Sequence, residues 1–140
     1  MRKKLSLLAV SLIGLAAPPW AFPHGDVTPQ AVDTRELPPL GKQVRRENPY
    51  RDNKEAIRVG NSAYNQNCAR CHGLEAVSGG IAPDLRLLEV DAETDQYFIE
   101  SVQRGKVRNG AVYMPPYEDV LPQEAIWAIK SYLETRREKQ

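Results

Sequence analysis

The chain is 140 residues long, with 19 Lys and Arg against 18 Asp and Glu and a formal charge of +1. No basic surplus marks it as a nucleic-acid binder, and its length suits one small domain rather than two. Its two cysteines exclude the multi-disulfide framework that holds many small secreted domains together.

Met1-Arg-Lys-Lys4 leads into Leu5–Ala17, an uncharged run whose strongest polar groups are two serines. This is the layout of a secretory signal peptide. As a helix the run would be about 20 Å long, short of the ~30 Å hydrocarbon core, so a cleaved signal is expected rather than a stable membrane anchor. Ala17 and Ala21 are small enough for the cut, but Pro18 follows Ala17 directly, which favours cleavage after Ala21. Losing Arg2, Lys3 and Lys4 leaves a slightly acidic mature chain.

From Phe22 to Asn53 five prolines interrupt scattered charges and no apolar period is evident. The segment reads as an extended arm, with Val32, Leu37 and Tyr50 able to lie along a body. His24 reads as a solvated histidine near the mature terminus. Helical pattern begins at Asn53, a candidate N-cap, and recurs through Ala56, Ile57, Gly60, Ala63 and Tyr64 up to Asn67.

Directly after comes Cys68-Ala-Arg-Cys-His72, which uses both cysteines of the chain. Cys-x-x-Cys-His is the attachment signature of a c-type haem. Two thiols one helical turn apart can each form a thioether to a vinyl arm of one porphyrin, and the next imidazole can ligate the iron. A structural zinc site would want four ligands, and beyond these three the chain offers only the distant His24. A thioredoxin-like motif would follow a buried strand, whereas the residues before Cys68 read as helix.

A second helix is expected from about Asp91, through Tyr97, Phe98, Ile99 and Val102, to a stop at Gly105. Beyond it lies Tyr113-Met114-Pro115-Pro116-Tyr117, which holds the only methionine besides Met1. A methionine that merely fills the core belongs on an apolar helix face, and two following prolines place this one on irregular backbone. Met114 is therefore the candidate second axial ligand, opposite His72. A third helix opens with Pro122 in its first turn, carries Ala125, Ile126, Ile129, Tyr132 and Leu133, and ends in basic residues that suit the helix dipole. No alternating run suggests a sheet, and the expected fold class is all-α.

The stretch from Asn53 to Glu138 resembles a class I cytochrome c. In that family an N-terminal helix bearing a Gly-x-x-x-aromatic pair crosses an aromatic-rich C-terminal helix; Gly60 and Tyr64 match the first, and Ile129, Tyr132 and Leu133 the second. The resemblance implies that Pro83, in Ala82-Pro83-Asp84-Leu85, offers its carbonyl to the second ring nitrogen of His72. It makes Asn109, Tyr113, Tyr117 and Trp127 candidate donors to the methionine sulfur or to haem propionates, with Arg86 a candidate propionate partner. A narrower similarity, carried by Phe22–Thr34, Asn48–Arg51 and Ala63–Leu85, is to the small periplasmic cytochromes c associated with pyrroloquinoline quinone-dependent alcohol dehydrogenases, especially the ethanol-oxidising type.

The chain thus divides into a signal peptide over 1–21 and an arm over 22–53, both read from the residues, and over 54–140 the domain that the resemblance makes a cytochrome c. What the resemblance further implies is a function. The protein would be a monomeric periplasmic carrier of one haem c and not an enzyme. A quinoprotein alcohol dehydrogenase would reduce it, and a downstream cytochrome or terminal oxidase would oxidise it. Ala69, Ala111, Val112 and Pro115, with Arg70, Lys106 and Arg108 at the rim, would form its docking face. Two rivals are a haem subunit held permanently in a dehydrogenase or oxidase complex, and a ligand-binding or peroxidase-like protein with an open sixth position. The latter would need a distal acid or base, for which His24 on the arm is poorly placed.

Overall fold

The computed structural model describes residues 28–138; the expected signal peptide and His24 lie outside the described residues. Helix α1 spans Lys54–Asn67, and Asn53 caps it, its Oδ1 accepting from the amides of Glu55 and Ala56 at 3.0 Å each. A single turn, α2, follows at Ala69–His72. Helix α3 runs Ala92–Arg104, capped by Asp91, whose Oδ1 accepts from the Thr94 amide at 2.7 Å. Helix α4 runs Gln123–Arg136, and the carbonyl of Pro122 receives the Ala125 and Ile126 amides. No helix among the described residues is long and apolar enough to cross a membrane.

Helices α1 and α4 cross at Gly60. A Cβ built there would lie 1.9 Å from the Ala128 carbonyl oxygen, so the missing side chain is what lets the two backbones meet. Tyr64 and Tyr132 pack beside the crossing, ring centroids 5.4 Å apart. Gly60→Ala is expected to cost about 3 kcal/mol, because backbone rather than a flexible side chain must give way. A thermal melt of the holoprotein reads this as a drop of roughly 10 °C; an unchanged melt would mean that the helices do not touch there.

The arm is part of the body. Leu37 and Tyr50 are buried in the core, with Val32 and Leu40 packed against it. Arm residues also pair with α4 along its length. The Leu40 amide donates to Glu124 Oε1 (2.8 Å), the Arg45 amide to Gln123 Oε1 (3.0 Å), and Gln123 Nε2 donates to the carbonyls of Gly41 and Gln43. Ser131 Oγ donates to the Tyr50 carbonyl at 3.0 Å. Helix α1 takes one face of α4 and the arm another, which is why Ala125–Leu133 is buried without a break.

One element departs from the sequence reading. Lys106–Arg108 (β1) and Ala111–Met114 (β2) form a two-stranded antiparallel hairpin between α3 and the Met114 turn. Lys106 pairs with Met114 and Val107 with Val112, so β2 carries one extra residue, Tyr113, as a bulge. The tip is Asn109-Gly110, both at positive φ (+51° and +77°), the backbone of a type I′ turn. The fold remains all-α apart from this ribbon.

Candidate haem site

The end of α1 and the start of α2 meet at Cys68. The amides of Cys71 and His72 both reach the Cys68 carbonyl, at 3.1 and 3.0 Å, which sets the two cysteines one turn apart on helical backbone. Tyrosine hydroxyls hold both ends of this turn. Tyr117 donates to the Asn67 carbonyl and Tyr64 to the Gly73 carbonyl, each at 2.8 Å. Burial, helped by the nearby Cys68, pushes both phenols up, so they remain donors. Beyond His72 the chain doubles back at Gly73, whose φ is +84° and whose Cβ, if present, would lie 1.8 Å from the Val77 carbonyl oxygen. Only glycine permits that reversal.

His72 Nδ1 lies 2.9 Å from the Pro83 carbonyl. A carbonyl can only accept, so Nδ1 carries the proton and Nε2 keeps its lone pair. Burial lowers the imidazole pKa, with the Pro83 bond acting in the opposite direction, and the ring stays neutral. The two cysteines form no disulfide with each other. Burial, then the neighbouring Cys71, pushes Cys68 up to about 12.

Met114 closes β2, half-buried and packed against the core. Its backbone is held from two sides. Gly105, at the C-terminus of α3 with φ +67°, comes so close that a Cβ would lie 2.3 Å from the Met114 carbonyl oxygen. Three residues on, the Tyr117 amide bonds the carbonyls of Val102 and Gln103 at 3.1 and 3.2 Å. The same Tyr117 then reaches the Asn67 carbonyl, so one residue ties the methionine turn to the residue before Cys68.

The other sequence candidates are placed elsewhere. Asn109 is the exposed hairpin tip. Arg86 pairs with Asp84 at 2.7 Å and Glu138 at 3.4 Å, and its bonds hold the Asp84 carboxyl down at about 2. The Tyr117 hydroxyl has one proton, spent on Asn67, so it cannot also donate to a sulfur. The exception is Trp127, fully buried in α4, whose indole Nε1 has no hydrogen-bond partner among the described residues. Sequence reasoning missed Asn67 and Gly73. Asn67 is buried, and its side chain exchanges two bonds with the Gln30 backbone, at 2.7 and 3.1 Å.

Two cysteine sulfurs and a neutral, oriented imidazole on one clamped turn fit a covalently attached haem. Leu74, Val77 and Ile81, in the segment that follows, are exposed apolar side chains. Among the described residues no group of three or more His, Cys, Asp or Glu is placed to hold a metal ion.

Residues 55–133 match the family described as Cytochrome C oxidase, cbb3-type, subunit III. A protein of Pseudomonas aeruginosa named cytochrome c550 is 62% identical over 128 residues, spanning 89% of this chain and 88% of its own length. The quinohemoprotein alcohol dehydrogenase ADH IIB of Pseudomonas putida is 34% identical over 82 residues, 59% of this chain but only 11% of that enzyme. Among solved structures, cytochrome cL of Methylophaga aminisulfidivorans superposes with a TM-score of 0.52 at 22% identity, covering 71% of this chain and 70% of that one, a likeness of fold. With the Cys-x-x-Cys-His turn and the Gly60 crossing in place, the chain belongs to the cytochrome c family, electron-transfer proteins rather than enzymes, with covalent haem c as cofactor.

Proposed function

We propose that this protein is a periplasmic electron shuttle with one haem, reduced by a quinoprotein alcohol dehydrogenase and oxidised by a downstream cytochrome or terminal oxidase. The observation that carries the proposal is the His72–Pro83 bond, which leaves Nε2 free on the turn that bears both thiols. Cys68 and Cys71 would hold the group through thioethers, and His72 and Met114 would ligate its iron. Bound there, haem supplies a one-electron ferric–ferrous couple. The chain's part is to keep both ligand segments in place in either oxidation state: Pro83 orients the imidazole, and Gly105 and Tyr117 fix the Met114 turn. A neutral thioether from Met114 would favour the ferrous state, and ligation by both residues would leave no open position for exogenous chemistry. The dehydrogenase assignment is supported by the quinohemoprotein alcohol dehydrogenase whose sequence contains a similar region.

The test is stopped-flow mixing of the oxidised holoprotein with a purified ethanol-oxidising quinoprotein dehydrogenase and ethanol. Full reduction, with the two proteins eluting separately on gel filtration, is the expected result. No reduction would remove the dehydrogenase as donor, and a lasting stoichiometric complex would replace the shuttle with a subunit.

A further inference from the structure

Every residue of β1, and every residue of β2 before Met114, is exposed. The apolar side chains are unusually open: Val107 is 67% exposed, Val112 58%, Tyr113 51%, and Tyr97 on the neighbouring α3 58%. Folding alone gives no reason to display three large apolar groups on a ribbon this short, which would be marginal by itself, and a fourth on the helix beside it.

Cations sit over the aromatic rings. Lys106 Nζ lies 4.6 Å from the centre of Tyr97, and the Arg108 guanidinium 5.5 Å from the centre of Tyr113. Such contacts fix the position of a cation without cancelling its charge. The ribbon itself, Lys106–Met114, carries Lys106 and Arg108 and no carboxylate, while Arg104 on α3 pairs with Glu100 at 4.0 Å. In a chain whose charges nearly balance, the hairpin is a small positive patch around an apolar centre. The ribbon is also continuous with Met114 and pressed against it at Gly105.

We propose that the β1–β2 hairpin, together with Tyr97, is the surface that docks an acidic electron-transfer protein, one that presents carboxylates around a small apolar patch. The inference rests on the carrier reading above and adds to it the sign and place of recognition. The cations steer the encounter, and Val107, Val112 and the two tyrosines exclude water once the surfaces meet. A shuttle must release its partner, and a contact of this size suits an interface below about 1,200 Å². Two cations are too few for a nucleic-acid footprint.

The test compares the holoprotein with its Lys106→Glu/Arg108→Glu variant and with Arg45→Glu/Arg46→Glu, the same charge change placed on the arm. Midpoint potential and circular dichroism should be unchanged in all three. Oxidation by ferricyanide, an anion, should slow several-fold in the hairpin variant, and oxidation by tris(phenanthroline)cobalt(III), a cation, should speed up, with smaller changes in the arm variant. Reduction by the quinoprotein dehydrogenase at low ionic strength should fall roughly tenfold, the gap closing as salt is added. Equal small-molecule rates in the two variants would overturn the proposal whatever the dehydrogenase does. If those rates shift as expected but the dehydrogenase reduces none of the proteins, the donor assignment fails and the docking surface stands. A dimer in sedimentation that dissociates only in the hairpin variant would overturn the proposal, because the surface would then be an interface between copies of this chain.

Discussion

Met114→Ala should abolish the weak near-infrared band that a methionine sulfur gives on ferric haem, allow carbon monoxide to bind the reduced protein, and lower the midpoint potential by on the order of 0.2 V, about a quarter of the range that axial ligands command. The loss should be one of ligation rather than of folding. Met114 is only half-buried, and its turn is held by backbone: by Gly105 from α3 and by the Tyr117 amide on the Val102 and Gln103 carbonyls. Circular dichroism should therefore change little. A near-infrared band that survives the substitution, or a wild-type protein that already binds carbon monoxide, would show that another group or none occupies the sixth position. The question would then turn to ligand sensing or peroxide chemistry.

The features that could be read from the sequence are those with short-range physical causes. Asn53 and Asp91 cap the helices they precede because a short polar side chain before an apolar period has little else to do. Gly60 was recognisable because a glycine inside a helical pattern needs a reason, and close backbone approach is one. The hairpin was missed because strands of three and four residues, exposed on every side, leave no alternation to detect. Its one signal is the dipeptide Asn109-Gly110, of which the resemblance singles out only Asn109, as a candidate donor to the methionine sulfur or a haem propionate. The docking of the arm was equally hidden. Bonds such as Leu40 to Glu124 and Arg45 to Gln123 join residues some eighty apart through single backbone amides, and leave no periodic trace in either segment. Asp95 and Lys130 look like ordinary surface charges in the sequence, yet their side chains are 0% and 1% exposed.

Those two charges predict the other large effect: Asp95→Ala should destabilise the holoprotein by about 3–5 kcal/mol, roughly 10–20 °C in a thermal melt. Lys130 Nζ lies 3.2 Å from Asp95 Oδ1 and 2.9 Å from Glu134 Oε1. From the arm, Arg51 closes the square, reaching Asp95 Oδ2 at 2.7 Å and Glu134 Oε2 at 3.1 Å, while the Asn48 amide donates to Asp95 at 2.8 Å. Two cations and two anions balance, so removing Asp95 leaves a buried excess of positive charge and an unpaired amide, and the arm loses its anchor on α3. Arg51→Ala should cost less, since that side chain is a third exposed and solvent can take over part of its role. Acid acts on the same square through Glu134. Burial pushes its pKa up, but the bonds from Lys130 and Arg51 together outweigh that and leave it below the ordinary value. A carboxyl depressed by folding contributes stability above its unfolded pKa, about 4.3, and loses it as pH falls through the lower folded value. The melting temperature should therefore decline below about pH 4.3, and decline less steeply in Glu134→Gln, which starts from a lower plateau. A Glu134→Gln profile parallel to wild type across that range would show that the square does not govern acid stability. An Asp95→Ala melt within 2–3 °C of wild type, a cost below about 1 kcal/mol, would show that the arm is held without it.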